Sequence, residues 1–187
     1  MKNLALILFA SILIQACIPT GGGTSTPKLP NITVKGKHII APCGDTILLK
    51  GVNYAVYNWG WNATENLFHE IALSGANCVR IVWYKNNSAS AYSNLSLLDS
   101  AISRCVQQKM IPILELHDVT CSNDTTAIIT TANYLTQNTV KTILLKYQKW
   151  LILNPVNEAG YVQWNGNNET RFKLMYQTII SNLRNAG

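Results

Sequence analysis

Residues 110–118 read Met110-Ile111-Pro112-Ile113-Leu114-Glu115-Leu116-His117-Asp118, an apolar run of strand length that turns titratable at its C-terminal end. Period-two alternation puts Glu115 and His117 on one face and Leu114 and Leu116 on the other. On either side of this run the pattern alternates. Upstream, Leu95 to Lys109 reads as a helix, Asn77 to Tyr84 as a strand, and Thr64 to Gly75 as a helix that Thr64 can cap, with Leu67, Ile71 and Ala72 at helical spacing. Leu49 to Ala55 is an apolar run without helical period, a further buried strand. Downstream, Thr125 to Leu135 and Val140 to Gln148 are helical, Trp150 to Val156 is a fourth apolar run, and Thr170 to Asn185 is a closing amphipathic helix. Ahead of all of these, Thr33 to Ala41 and Thr46 to Leu49 are β-prone and are separated by Pro42, Gly44 and Asp45, as in a hairpin.

Strands that are apolar on both faces and alternate with helices predict a parallel sheet with helices packed outside it. Right-handed crossovers then leave an α/β doubly wound sheet or a TIM (β/α)8 barrel. Gly51-Val52-Asn53-Tyr54 has none of the glycine spacing of a dinucleotide-binding turn. Polar residues instead fall at the C-terminal ends of successive strands, at Asn53, Arg80, His117 and the Asn157-Glu158 pair, where TIM barrels assemble their sites. The expected fold is therefore a TIM barrel. Four βα units can be counted where a barrel has eight, so the expectation is the N-terminal half of one.

The 187 residues hold 15 Lys+Arg against 9 Asp+Glu, a formal net charge of +6. The bases are scattered without a basic run, which argues against a nucleic-acid partner. Met1 and Lys2, the apolar run Leu4 to Ile14, and Ala16 before Cys17 resemble a bacterial lipoprotein signal, with Cys17 the residue to be lipidated; plain secretion is the alternative. Residues 18–31, rich in Gly, Thr and Pro, read as a linker, and 32–187 as the N-terminal part of the barrel. Cys43, Cys78, Cys105 and Cys121 remain. In an exported chain they are disulfide partners or buried thiols, because their spacing suits no zinc site. No metal or cofactor is expected.

Glu158 follows an apolar strand and is expected to be partly desolvated, which would raise its pKa as a general acid requires. Asn157 beside it can hydrogen-bond a substrate hydroxyl. Arg80 is a guanidinium inside an apolar strand and needs acceptors there; it either orients a catalytic carboxylate or forms a structural ion pair. His117 is a site residue or a satisfied core histidine. Tyr54, Tyr57, Trp59, Trp61, Trp83, Tyr84, Tyr161 and Trp164 fall in expected loops at one end of the sheet, where aromatic faces can carry sugar rings.

Four segments, Gly51-Val52-Asn53-Tyr54, Gly75-Ala76-Asn77-Cys78-Val79-Arg80-Ile81-Val82, Ile113-Leu114-Glu115-Leu116-His117-Asp118 and Asn154-Pro155-Val156-Asn157-Glu158-Ala159, together resemble glycoside hydrolase family 5. That family contains endo-β-mannanases and cellulases of TIM-barrel fold. The resemblance implies an exported, endo-acting, retaining enzyme on β-1,4-linked polysaccharide, β-mannan first and β-glucan second. A non-catalytic carbohydrate-binding lipoprotein is a further alternative. The resemblance also implies Glu158 as acid/base, Asn157 at the substrate, Arg80 supporting the nucleophile region and His117 lining the site; from their placement at the strand ends and in the loops, Asn53, Tyr54, Trp59, Trp61, Trp83, Tyr161 and Trp164 are expected at the sugar. The membrane would be reached through the lipid anchor. Two departures stand out. Pro155 lies in the expected fourth strand, where it would remove a ladder donor, and no segment matches the second catalytic Glu, which is expected beyond residue 187.

Overall fold

The computed structural model describes residues 31–57, 66–85, 94–160 and 167–187. Its centre is a four-stranded parallel sheet in the order β4 (Gly51–Tyr54), β5 (Cys78–Trp83), β6 (Ile111–Leu116), β7 (Ile152–Asn154). Sequence order equals spatial order. Each connection between neighbouring strands carries helix: α1 (Phe68–Leu73), α2 (Leu95–Gln107), then α3 (Thr125–Ala132), a 3₁₀ turn (Asn133–Thr136) and α4 (Asn138–Lys146); α5 (Asn167–Ala186) follows β7. A separate antiparallel sheet, β1 (Thr33–Lys35), β2 (His38–Ile40) and β3 (Thr46–Ile47), precedes them.

The alternation of side chains decides which face meets the helices. Val79, Ile81 and Trp83 of β5 and Leu114 and Leu116 of β6 form one core with Leu98, Ala101, Ile102 and Cys105 of α2 and Val140, Ile143 and Leu144 of α4. Arg80, Glu115 and His117 belong to the opposite set. A second cluster joins Ile128 and Ala132 of α3 and Met175 and Ile179 of α5 to Val156 and Ala159. Leu114 is 0% exposed, so truncating it to Ala would cost about 2–5 kcal/mol.

Helix boundaries follow local chemistry. The Asn94 side chain accepts from Ser96 N–H at 2.8 Å, capping α2, and Asp124 accepts from Thr126 and Ala127 N–H at 2.9 and 3.1 Å, capping α3. Gly75, at φ +84°, stops α1 as its position suggests. Across the helix layer, Asp99 of α2 accepts from Lys146 Nζ and Tyr147 hydroxyl, each at 2.6 Å. The Lys146 hydrogen bond, and then that of Tyr147, hold the Asp99 carboxyl below the usual carboxylate range.

Two expectations are corrected, and a third is resolved. The N-terminal segment forms three strands, because Gly36, at φ +60°, turns the chain inside the first β-prone run. β7 ends at Asn154, so Pro155 lies outside the ladder and removes no donor from it. Of the two alternatives for the cysteines, free thiols are found: Cys78 and Cys105 are buried, while Cys43 and Cys121 are free but exposed. Burial pushes the thiol of Cys105 up to about 12 and raises that of Cys78, which suits packing rather than reactivity.

Gly51 faces Cys78 across the first parallel pair, and a methyl there would run into the Cys78 carbonyl oxygen and Sγ. Backbone cannot yield as a flexible side chain does. Gly51→Ala is therefore expected to destabilise the chain by about 1–3 kcal/mol, read as a lower urea midpoint at unchanged slope.

Candidate active site

The site is built where β5, β6 and β7 end. Glu115 sits at the C-terminal end of β6 with no solvent exposure. Its carboxylate meets Arg80 Nη1 of β5 at 3.6 Å and His117 Nδ1 at 3.0 and 3.2 Å. Burial raises the Glu115 carboxyl above the ordinary value of 4.5, outweighing the opposing pull of Arg80 and His117. Glu115 is thus an internal anchor for a cation and an imidazole.

Arg80 is satisfied from three sides. Besides Glu115, its Nη2 donates to Asn157 Oδ1 at 2.6 Å. With its amide oxygen turned toward the guanidinium, Asn154 accepts from Nε at 3.2 Å and Nη2 at 3.1 Å while donating to Val156 carbonyl at 2.9 Å. The in-register pairing of Glu115 with Asn154 brings these groups level. His117 packs its ring against Tyr84, with centroids 5.1 Å apart.

Asn157 is 7% exposed, and its amide bridges two elements: Oδ1 accepts from Arg80, and Nδ2 donates to Thr120 Oγ1 at 3.1 Å. Glu158 follows it with φ +39°, in the left-handed region that a non-glycine residue rarely occupies. Its carbonyl accepts from Cys121 N–H at 3.0 Å. The Glu158 side chain is exposed, and among the described residues its carboxylate takes no hydrogen bond or ion pair. The desolvation expected from the preceding apolar run is absent, because the chain has left the sheet at Pro155 before Glu158 is reached.

The sequence-based site residues therefore divide. Arg80, His117 and Asn157 come together in one network, with Glu158 directly beyond it. Asn53 is exposed on β4, level with Arg80 in the sheet register. Tyr54 and Trp83 are core residues, 3% and 1% exposed, and not platforms for a ligand; Tyr54 packs edge-on against Phe68, and Trp83 against Tyr57. The reason is alternation: the period that aims Arg80 into the site turns Trp83, three residues on, toward the helices. Trp59, Trp61, Tyr161 and Trp164 lie outside the described residues, as does Cys17. Asn154 and Thr120 join the network without having been singled out for it, whereas Tyr84, which packs on His117, was among the aromatic residues expected at this end of the sheet. Only Asn154 had a clear signal, the same alternation counted from Ile152.

Charged side chains carried to the C-terminal ends of adjacent parallel strands, over a sheet backed by helices, place the chain in the TIM-barrel class. Residues 40–187 match the family model for Cellulase (glycosyl hydrolase family 5), and the chain belongs to that family. It is 27% identical over 154 residues to a mannan endo-1,4-β-mannosidase of Cellvibrio japonicus, covering 82% of this chain and 35% of the relative. To a mannan endo-1,4-β-mannosidase of Salipaludibacillus agaradhaerens it is 25% identical over 154 residues, covering 82% and 47%. The catalytic domain of a mannanase from Streptomyces sp. SirexAA-E superposes with a TM-score of 0.69 at 23% identity, covering 92% of this chain and 52% of that one. The chain thus spans between about a third and a half of the length of these relatives.

Two outcomes follow from the buried cluster. Arg80→Met leaves Glu115 enclosed without its cation and is expected to cost about 3–5 kcal/mol in urea unfolding at neutral pH. Because the folded-state pKa of Glu115 is raised, its protonated form favours folding; that contribution is complete below about pH 4.5 and fades as the pH rises through the folded-state value. Glu115→Gln should flatten the dependence of stability on pH above 4.5, measured by urea midpoints across a pH series.

Proposed function

We propose that the chain carries the acid/base portion of an endo-acting β-1,4-glycoside hydrolase whose substrate is β-mannan. The observation that carries this reading is the placement of Glu158. It is an exposed carboxyl on a left-handed backbone, immediately after a buried Asn157 that Arg80 holds at 2.6 Å. Backbone strain of this kind persists only where surrounding contacts over-determine it, and it concentrates at functional sites. The mannan specificity rests on the relatives named above.

In this reading Glu158 protonates the departing glycosidic oxygen and later takes a proton from water. A retaining double displacement also needs a second carboxylate, about 5–5.5 Å from the first. The other carboxylates near the strand ends are committed elsewhere: Glu115 is sealed and paired, Asp118 accepts from Lys85 N–H at 2.9 Å, and Asp124 caps α3. The nucleophile therefore comes from outside the described residues. Asn157 keeps one further donor and one acceptor position for a sugar hydroxyl. Export, with lipidation of Cys17 tethering the enzyme to a membrane, completes the proposal; its support is the signal-like pattern of residues 1–17.

Glu158→Gln should lower kcat on β-1,4-mannan by about 10²–10⁴-fold, measured as release of reducing ends, with carboxymethylcellulose as the comparison polymer. An unchanged rate would remove Glu158 from the chemistry. Mannan retained by the chain but never cleaved would instead favour a carbohydrate-binding role.

A further inference from the structure

The turn that follows β6 is tied to all three strand ends of the site. From the β5 side, Lys85 N–H donates to Asp118 Oδ2 at 2.9 Å. From the β7 side, Asn157 N–H donates to Leu116 carbonyl at 2.9 Å, and Gly160 N–H donates to Ser122 carbonyl at 2.7 Å. Cys121 N–H donates to the Glu158 carbonyl at 3.0 Å, so the turn grips Glu158 by its own backbone.

At the centre of the turn is one hydroxyl. Thr120 Oγ1 donates to the His117 carbonyl at 2.9 Å and accepts from Asn157 Nδ2 at 3.1 Å. A hydroxyl has a single proton, and here the His117 carbonyl takes it. Toward Asn157 it can therefore only accept. That requirement, together with Arg80, whose guanidinium can only donate, turns the amide nitrogen to Thr120 and the amide oxygen to Arg80, where Oδ1 accepts from Nη2 at 2.6 Å. The four groups form a chain of hydrogen bonds running in one sense, from the guanidinium through Asn157 and Thr120 to the His117 carbonyl.

We propose that Thr120 is a positioning residue for Glu158: it fixes the orientation of the Asn157 amide and, through it, the place at which the following carboxyl is presented to the glycosidic oxygen. The proposal rests on the reading of Glu158 as the general acid. Thr120 touches neither substrate nor the transferred proton. Its effect on the first displacement should consequently appear only where the leaving group needs a proton; the second, in which Glu158 takes a proton from water, is shared by all substrates.

The test compares Thr120→Val, Thr120→Ser and Glu158→Gln in the full chain on two substrates. One is β-1,4-mannan, whose leaving sugar needs a proton; the other is a dinitrophenyl β-mannobioside, whose phenolate leaves without one. Thr120→Val is expected to lose about 10- to 100-fold in kcat/KM on mannan, the quantity that ends with departure of the leaving group and excludes the later step in which Glu158 takes a proton from water. On the aryl substrate kcat/KM should fall less than about threefold, and Thr120→Ser should restore the mannan value. An equal loss on both substrates, or none on mannan, overturns the positioning role. Should Glu158→Gln leave both rates unaltered, the functional reading itself fails. The Asn157 side-chain amide, followed by NMR in the substrate-free chain, decides the positioning role whether or not the chain hydrolyses either compound. Thr120→Val should shift its signals and speed their exchange, and unchanged signals would overturn the proposal.

Discussion

Removing a carboxylate from water costs several kcal/mol unless charge and hydrogen bonds replace the solvent. Glu115 has no solvent exposure at all, and the C-terminal end of the sheet is organised around compensating it. Arg80 and His117 approach it directly. Arg80 must then satisfy its own remaining donors, which it does on Asn154 and Asn157. Asn157 in turn needs an acceptor for its amide nitrogen and finds Thr120. One buried negative charge thus propagates order from mid-sheet to the residue immediately before Glu158.

Parallel pairing makes this possible. Glu115 lies level with Val82 on one side and Asn154 on the other, and Arg80 lies two residues lower, level with Asn53 and Ile113. Only long side chains can connect such rows, and arginine combines that length with five donors in a fixed fork. The helices stabilise the opposite face: α2 and α4 bury the alternate residues of β5 and β6 in a core that has no polar share in the site. Stability and chemistry are thereby divided between the two faces of the same strands.

Much of this was legible in residues 77–84 and 110–118. Their apolar length, the period-two placement of Glu115 with His117, and the intervening helical stretch pointed to parallel βα units with charges at one end. Gly75 marked the end of a helix through local chemistry that needs no tertiary partner. The aromatic residues misled where position along the chain was read as position in space. Trp83 sits next to the strand end yet faces the helices, because alternation, not proximity to a terminus, sets the direction of a side chain. Pro155 looked like a flaw in a strand of seven residues, whereas β7 pairs over three and ends before it.

The sequence by itself determined the class of fold and the candidates for charge at the strand ends, since both rest on periodicities of the chain alone. It also held the family likeness, carried by four short segments in order. Which candidates meet was decided only by the tertiary structure. Thr120 and Asn157 are 37 residues apart and Arg80 and Asn157 are 77 apart; their hydrogen bonds depend on strand register and on two turns closing against each other, which no local pattern encodes. The exposure of Glu158 and the sealing of Glu115 have the same origin. Burial is a property of what packs around a residue, and in this chain it separated two glutamates that both follow apolar strands.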